Sequence, residues 1–391
     1  MRKPRRIINI AVVLKLSGAA GRDILHGIAS YAKEHSRWRL SVFSRAEDFT
    51  PMELLQKPAL DGIITIENNT KGIEQRLVNS NIPIVAIGMK GSWLKERRSQ
   101  ITFVRNDDER IGRIAAEYLL SLGRFRSFGF IPSVKRSYWS LFREKGFRTT
   151  LRTHQLKPFI FRESTQPLGE WLESLPKPTA IMTACDELAF KVILQCTTSG
   201  IAIPKQLAVI GVDNDELLCD YSAPPLTSVL PDHITEGSIA AKELSRLLKA
   251  RTPVKAKEVL CRKATLIQRE STKPTTPSAH IINEALRFIK NNASRNISVK
   301  EVVSHLGISR RLLEQRLKEA NETSLVRAIQ NVRLNRVARQ LEISEASIGS
   351  IASANSFENI QHLANIFKRK FGKTMSEYRA ASRTIPEFTH F

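Results

Sequence analysis

The chain has little cysteine. Cys185, Cys196, Cys219 and Cys261 show neither the paired spacing of a zinc site nor the density of a small secreted disulfide framework. Reduced thiols in a cytoplasmic protein are therefore expected. Long apolar runs are lacking too, and no stretch reaches the roughly 20 residues that would cross a bilayer. The start, Arg2 to Arg6 followed by Ile7 to Leu14, superficially resembles a signal peptide, but Lys15 cuts the apolar run short and the segment suits a buried strand. The chain has no Gly-rich phosphate loop, no Gly-x-Ser-x-Gly elbow and no His-Glu-x-x-His helix, and its eight histidines are scattered. Hence no cofactor and no metal are expected. Acidic residues are scarce relative to basic ones, 38 against 61, which leaves a formal charge of +23. An anionic partner is favoured, since lysine and arginine neutralise phosphates and release counterions. Yet residues 280–391 carry only 18 Lys and Arg against 10 Glu, so the excess is spread along the chain and charge alone does not separate DNA from RNA or a membrane.

Pattern is more specific than charge. In residues 297–318, Val302 and Leu306 share one helical face, Gly307 permits a sharp turn, Ser309 can cap the next helix, and Leu313 and Leu317 repeat the spacing. Arg310, Arg311, Glu314, Gln315 and Lys318 are left for base edges and phosphates, as in a helix-turn-helix. A second such pattern covers residues 347–370. Ile348, Ile351, Leu363 and Phe367 supply a core, and Asn359, Gln361, His362, Asn365, Lys368 and Arg369 occupy the other faces. Between the two, residues 324–342 contain neither proline nor glycine and predict one helix of roughly 28 Å. That length approaches the roughly 34 Å between successive major-groove faces, so two reading heads on one duplex are expected.

This pair of motifs, with the closing segment Phe367 to Arg379, resembles the C-terminal module of the AraC family of transcription regulators. Three residues depart from the family pattern: Ser356 replaces the usual glycine, Leu363 an aromatic and Met375 a proline. Asn355 is expected to take up the left-handed conformation beside Ser356, because asparagine tolerates it better than most residues.

From Ile7 to Ser271, strand-like runs alternate with helical ones, which predicts parallel sheets flanked by helices. Two series, broken near Thr102 to Asn106, imply two lobes with ligand-binding residues just past the strand ends. Asp186 and Asp213 lie at such ends, and Trp139 and Arg143 lie in the helix after Ile131-Pro132. The segments Leu207 to Glu216 and Ala223 to Val229 resemble the Lac repressor and periplasmic sugar-binding family. That resemblance implies effector-binding roles for Asp213 and Arg143, and makes Asp186 the acidic half of the family's Asn-Asp pair, with Cys185 in place of the amide.

The expected architecture is an α/β, two-lobed, periplasmic-binding-protein-like sensor (1–270), a linker (271–279, with Pro274 and Pro277) and an all-α double helix-turn-helix domain (280–391). The implied function is transcription regulation of carbohydrate-utilisation genes. Its partners would be double-stranded DNA, a second copy of the chain and a small sugar effector, xylose or a related monosaccharide, and no membrane. Carboxylates can accept two hydroxyl hydrogen bonds, Arg143 can donate to oxygens, and Trp139 can stack on a sugar's C–H face. Two other readings compete. One is a carbohydrate-active enzyme with an accessory helical module, and the other is a transport-type sugar-binding protein.

Overall fold

The computed structural model describes residues 6–35, 37–44, 60–66, 82–88, 100–133, 137–273, 277–292, 297–319, 324–344 and 346–383. Residues 2–5 of the signal-like start and the linker residues 274–276 lie outside them. The chain divides into two compact units at Pro274/Thr275.

The first unit starts with strand β1 (Ile8–Val13), whose last four residues are all buried, so the apolar run reads as the middle of a two-sided sheet. Helix α1 (Ala19–His35), β2 (Trp38–Phe43), β3 (Gly62–Ile66), β4 (Ile84–Ile87) and β5 (Ile101–Asn106) follow. The chain then builds a second lobe from α2 (Asp108–Ser121), β6 (Ser127–Ile131), α3 (Tyr138–Thr153), β7 (Phe159–Ile160), α4 (Leu168–Ser174), β8 (Thr179–Thr183), α5 (Asp186–Thr198), β9 (Leu207–Val212), α6 (Glu216–Tyr221) and β10 (Thr227–Pro231). Helix α7 (His233–Lys249) and β11 (Lys257–Cys261) return to the first lobe, and β12 (Ala264–Ile267) goes back to the second. The sheets run β11-β5-β4-β3-β1-β2 and β12-β10-β9-β8-β6-β7, with every pairing parallel except β10 with β12.

Two expectations change. The change of lobe expected near residues 102–106 comes directly after them, and the residues themselves form β5, inside the first sheet between β4 and β11. The predicted helix from Ile234 belongs to the first lobe, where Ala240, Ala241 and Leu244 join the core of Ile10, Val12, Ile28 and Leu40. The polypeptide thus crosses between lobes three times, after β5, β10 and β11. Two of these crossings enter helices through aspartate caps, Asp107 accepting from the Arg110 N–H at 3.1 Å and Asp232 from the Thr235 N–H at 3.1 Å.

The proposed linker is shorter than its composition implied. Ser271 is fully buried in the second lobe, donating from Oγ to the Val209 carbonyl at 2.6 Å, and Thr272 is buried against the Tyr118 hydroxyl at 2.7 Å. At the other side Pro277 opens helix α8 (Pro277–Asn291), a position where the missing N–H costs nothing.

In the second unit, α8 is followed by α9 (Val299–Leu306), α10 (Arg310–Glu319), α11 (Leu325–Ile343), α12 (Ile348–Ala354), α13 (Ile360–Phe371) and α14 (Met375–Arg383). A capping box between Ser298 and Glu301 starts α9, and Gly307 ends it at φ 62°. Helix α11 has 19 residues and serves two cores. Leu325, Ala328 and Ile329 pack with Val302, Leu313 and Leu317, whereas Leu334, Val337 and Leu341 pack with Ile351, Leu363 and Phe367. Leu363 is fully buried and Met375 nearly so, so both departures from the family pattern are absorbed by packing.

The turn between α12 and α13 differs from expectation. Ser356 itself adopts φ 59°, while Asn355 stays at φ −110° and is buried with its amide donating to the Ile351 carbonyl and to Gln340. A serine in the left-handed region costs conformational energy that glycine does not, partly offset by glycine's larger unfolded-state entropy. Ser356→Gly is expected to stabilise the second unit by about 0.5–1 kcal/mol. Urea unfolding of the full chain, followed by a probe in that unit, measures it. An unchanged or lowered midpoint would show that the serine is not strained.

Candidate effector cleft and DNA-facing helices

Arg143 is the central charge of the first unit. Helix α3 carries it inward at a close crossing with α2, where a Cβ on Gly112 would lie 2.1 Å from the Arg143 carbonyl oxygen and one on Gly146 2.0 Å from that of Glu109. Its side chain is 5% exposed. The guanidinium donates to Asp108 Oδ1 at 3.0 Å, to the Ala184 carbonyl at 2.6 Å and to Asp213 Oδ1 at 3.4 Å, and Trp139 lies over it at 4.9 Å. Burial alone would raise the Asp213 carboxyl, but Arg143 and His233 outweigh it and hold it below the usual carboxylate range. Asp108 behaves oppositely: burial prevails over Arg143 and pushes it up to about 6.

Asp213 stands on a strained turn. Its φ is 102° and that of Asn214 is 49°, two successive residues in a region L-residues rarely adopt. The turn is held from outside. Asn214 donates its N–H to Ser228 Oγ at 3.0 Å, Ser228 donates to Asp186 Oδ1 at 2.7 Å, and Asp186 Oδ2 accepts the Asp215 N–H at 2.8 Å. Arg269 clasps the Asn214 side chain at 2.9 Å. Asp186, 2% exposed, borders the cleft but spends its oxygens on this turn. Its carboxyl rises to about 7 through burial and the nearby Asp213 charge.

The end of β5 and the start of α7 complete the floor. Glu236 Oε2 accepts from Asn106 Nδ2 at 2.7 Å and from His233 Nδ1 at 2.8 Å. These bonds fix the Asn106 amide with Oδ1 outward and the imidazole with Nε2 outward. Both outward atoms are buried without a hydrogen-bond partner, His233 Nε2 making only a 3.5 Å ion-pair contact with Asp213. Burial would depress His233, but Asp213 and Glu236 overcome it and raise the imidazolium to about 10.

Trp139, Arg143, Asp186 and Asp213 therefore meet at one cleft of about 460 Å³, as the strand-end rule predicts. Asn106, Asp108, His233 and Glu236 also border it and were missed. Three of them lie where the same rule would have pointed, Asn106 at the end of β5 and Asp108 and His233 just past β5 and β10, but those strands were not recognised. Across the mouth the lobes touch: Asp215 Oδ2 accepts the Ala19 N–H at 3.2 Å, and Lys15 pairs with Glu187 at 3.5 Å. Cys185, also at the cleft, has its thiol pushed up to about 12 by burial and by Asp213, so it is a neutral group there. Among the described residues no His, Cys, Asp and Glu cluster is arranged to hold a metal ion.

In the second unit, Arg310, Arg311, Gln315 and Lys318 are exposed on α10 and Glu314 is half-buried. Gln361, His362, Asn365, Lys368 and Arg369 are exposed on α13. Arg311, Gln315 and Lys318 repeat at i, i+4 and i+7, and so do Gln361, Asn365 and Lys368, so each helix presents one polar stripe opposite its buried leucine. Asn359 has a different place from the one expected of a base reader. It caps α13, its Oδ1 accepting the His362 N–H at 2.9 Å, which occupies the acceptor that bidentate adenine contact requires.

The raised groups give a signed pH dependence. Asp108 and Asp186 contribute stability present below their unfolded carboxylate values and lost as pH rises through about 6 and 7. His233 contributes stability that is full below about pH 6.5 and lost as pH rises through about 10. The melting temperature of the first unit should fall from pH 7 to 10, and His233→Gln should flatten that fall. Parallel pH profiles for the two proteins would exclude a charged His233.

Comparison with known proteins agrees with both units. Residues 116–272 match a periplasmic binding protein-like domain, and residues 302–381 match a helix-turn-helix domain. The xylose operon regulatory protein of Escherichia coli K12 is 28% identical, with 96% of this chain and 98% of that protein covered. Its counterpart from Haemophilus influenzae is 27% identical over 95% and 97%. The solved structure of a xylose-binding transcription activator superposes with a TM-score of 0.57 at 26% identity, covering 96% of this chain and 98% of that one. The chain joins a periplasmic-binding-protein-like domain to an AraC-type helix-turn-helix domain, the build of a transcription regulator, and is homologous along nearly its whole length to xylose operon regulatory proteins.

Proposed function

We propose that the cleft binds a small neutral sugar as an effector and that this binding controls how the helix-turn-helix unit engages operator DNA. The observation that carries the sugar is the pair of buried atoms without a hydrogen bond at its floor, an acceptor on Asn106 and a donor on His233 that has only its 3.5 Å ion-pair contact with Asp213, beside the fixed Arg143–Asp213 pair. Buried polar atoms left unpaired are costly, and vicinal hydroxyls satisfy an acceptor and a donor together. Trp139 offers an aromatic face, and Asp186 acts through the turn that aims Asp213. Xylose or a related monosaccharide is the first candidate, since the homologous regulators are named for xylose.

The polar stripes of α10 and α13 would read successive major grooves, with Arg311, Gln315, Gln361 and Asn365 toward bases and the lysines and Arg369 toward phosphates. Regulation of sugar-utilisation genes by a cytoplasmic homodimer follows from this reading, and turnover of the sugar does not.

Calorimetry and operator gel shifts test both halves. Asp213→Asn and Arg143→Ala should weaken sugar binding at least tenfold, because a charge-assisted bond is worth roughly 1.5–3 kcal/mol. Unchanged affinity in both would remove them from the site. Arg311→Ala with Gln315→Ala should weaken operator binding by about 1–3 kcal/mol for each base that is no longer read, and leave sugar affinity intact. Equal weakening on random DNA would assign these residues to phosphates. Sugar and operator should also alter each other's affinity by one common factor.

A further inference from the structure

Among the described residues, the cleft's polar groups come mainly from the hinge floor and the second lobe, which also brings Trp139, Leu188 and Leu218. The hinge floor and second lobe supply Asn106, Arg143, Asp213 and His233. The first lobe's described wall is different: Ala19 and Ala20 at the start of α1, Ile24 one turn on, Ile66 at the end of β3 and Ile87 at the end of β4. Ile66 and Ile87 are register partners on adjacent strands, so they form one continuous apolar strip at the sheet's carboxyl edge. The first lobe's lysine at the cleft, Lys15, is turned to Glu187 at the mouth. The contact of Asp215 with the Ala19 N–H brings this wall against whatever the second lobe holds.

We infer that the effector is an amphipathic sugar, a 6-deoxyhexose, whose ring hydroxyls face the hinge floor and whose C5 methyl group faces Ala20, Ile24, Ile66 and Ile87. This rests on the sugar-effector reading above and sharpens it. A hydroxymethyl group pressed on that strip loses its water hydrogen bonds and gains none from the four described side chains, which disfavours the parent hexose about tenfold or more. A pentose, with only hydrogen at C5, keeps the hydroxyl contacts but leaves the strip uncovered, which weakens it about fourfold for the methyl not buried.

The test is calorimetric titration of the full chain with three stereochemical triads and their enantiomers: xylose, quinovose and glucose; arabinose, fucose and galactose; lyxose, rhamnose and mannose. Members of a triad share ring configuration and carry H, CH3 or CH2OH at C5. In the series that binds best, the methyl sugar should bind tightest and the hydroxymethyl sugar about tenfold or more weaker. Ile66→Thr, β-branched like isoleucine but one carbon shorter and able to donate and accept a hydrogen bond, should bring that ratio toward one. If the pentose or the parent hexose binds tightest, the inference falls while the sugar-effector reading stands. If no sugar in the panel binds, both fall.

Discussion

A guanidinium with 5% of its surface exposed dictates much of the first unit. Removing such a charge from water costs several kcal/mol, and it persists only with good partners on every side. Arg143 finds them on three separate stretches of chain: Asp108 at the start of α2, the Ala184 carbonyl just past β8, and Asp213 on the turn after β9. The glycine-mediated approach of α2 to α3 sets its depth. The clamp of Asp186, Ser228 and Arg269 sets Asp213. Each partner alone is an ordinary feature, but together they hold one carboxylate ionised, in a left-handed backbone, at the edge of a cleft.

The same carboxylate connects to the crossings between lobes. His233 begins the helix that returns to the first lobe, Asn106 ends the strand that leaves it, and Glu236 binds them to each other. A ligand that satisfies Asn106 Oδ1 and His233 Nε2 therefore touches the crossing segments as well as the second lobe. Closure of the mouth adds Asp215, whose carboxylate caps the start of a helix in the opposite lobe while its own N–H is held by Asp186. On the proposed reading, effector recognition and lobe geometry are linked through shared residues, which is the physical requirement for a ligand to favour one arrangement over another.

The helical unit solves a different problem. Two small cores share the two halves of α11. This explains why that helix shows no single apolar face: its two ends are covered from different sides. The rigid spacing then repeats an i, i+4, i+7 polar stripe on α10 and α13, with capping by Ser309 and Asn359 fixing where each stripe starts.

Local pattern was enough to identify the helix-turn-helix pairs, since turn chemistry and 3.6-residue periodicity are written in neighbouring residues such as Val302, Gly307, Leu313 and Leu317. It also located Arg143, Asp186 and Asp213, because residues just past recognisable strands collect at a cleft. It did not find Asn106 or His233, since β5 and β10 are short and their role as crossings exists only once distant strands pair. It gave Asp186 a ligand's part, whereas the folded neighbours Ser228, Asp215 and Cys219 occupy its carboxylate. It set the linker by composition at Ser271, although two serine and threonine hydroxyls there are sealed by long-range hydrogen bonds that no local preference encodes. The sequence by itself determined the helix-turn-helix pairs and most of the helices and strands, because these are set by periodicity and turn chemistry among neighbouring residues. Tertiary structure decided which polar atoms remain unsatisfied at the cleft, because that depends on partners more than a hundred residues apart, such as Asn106 and Glu236.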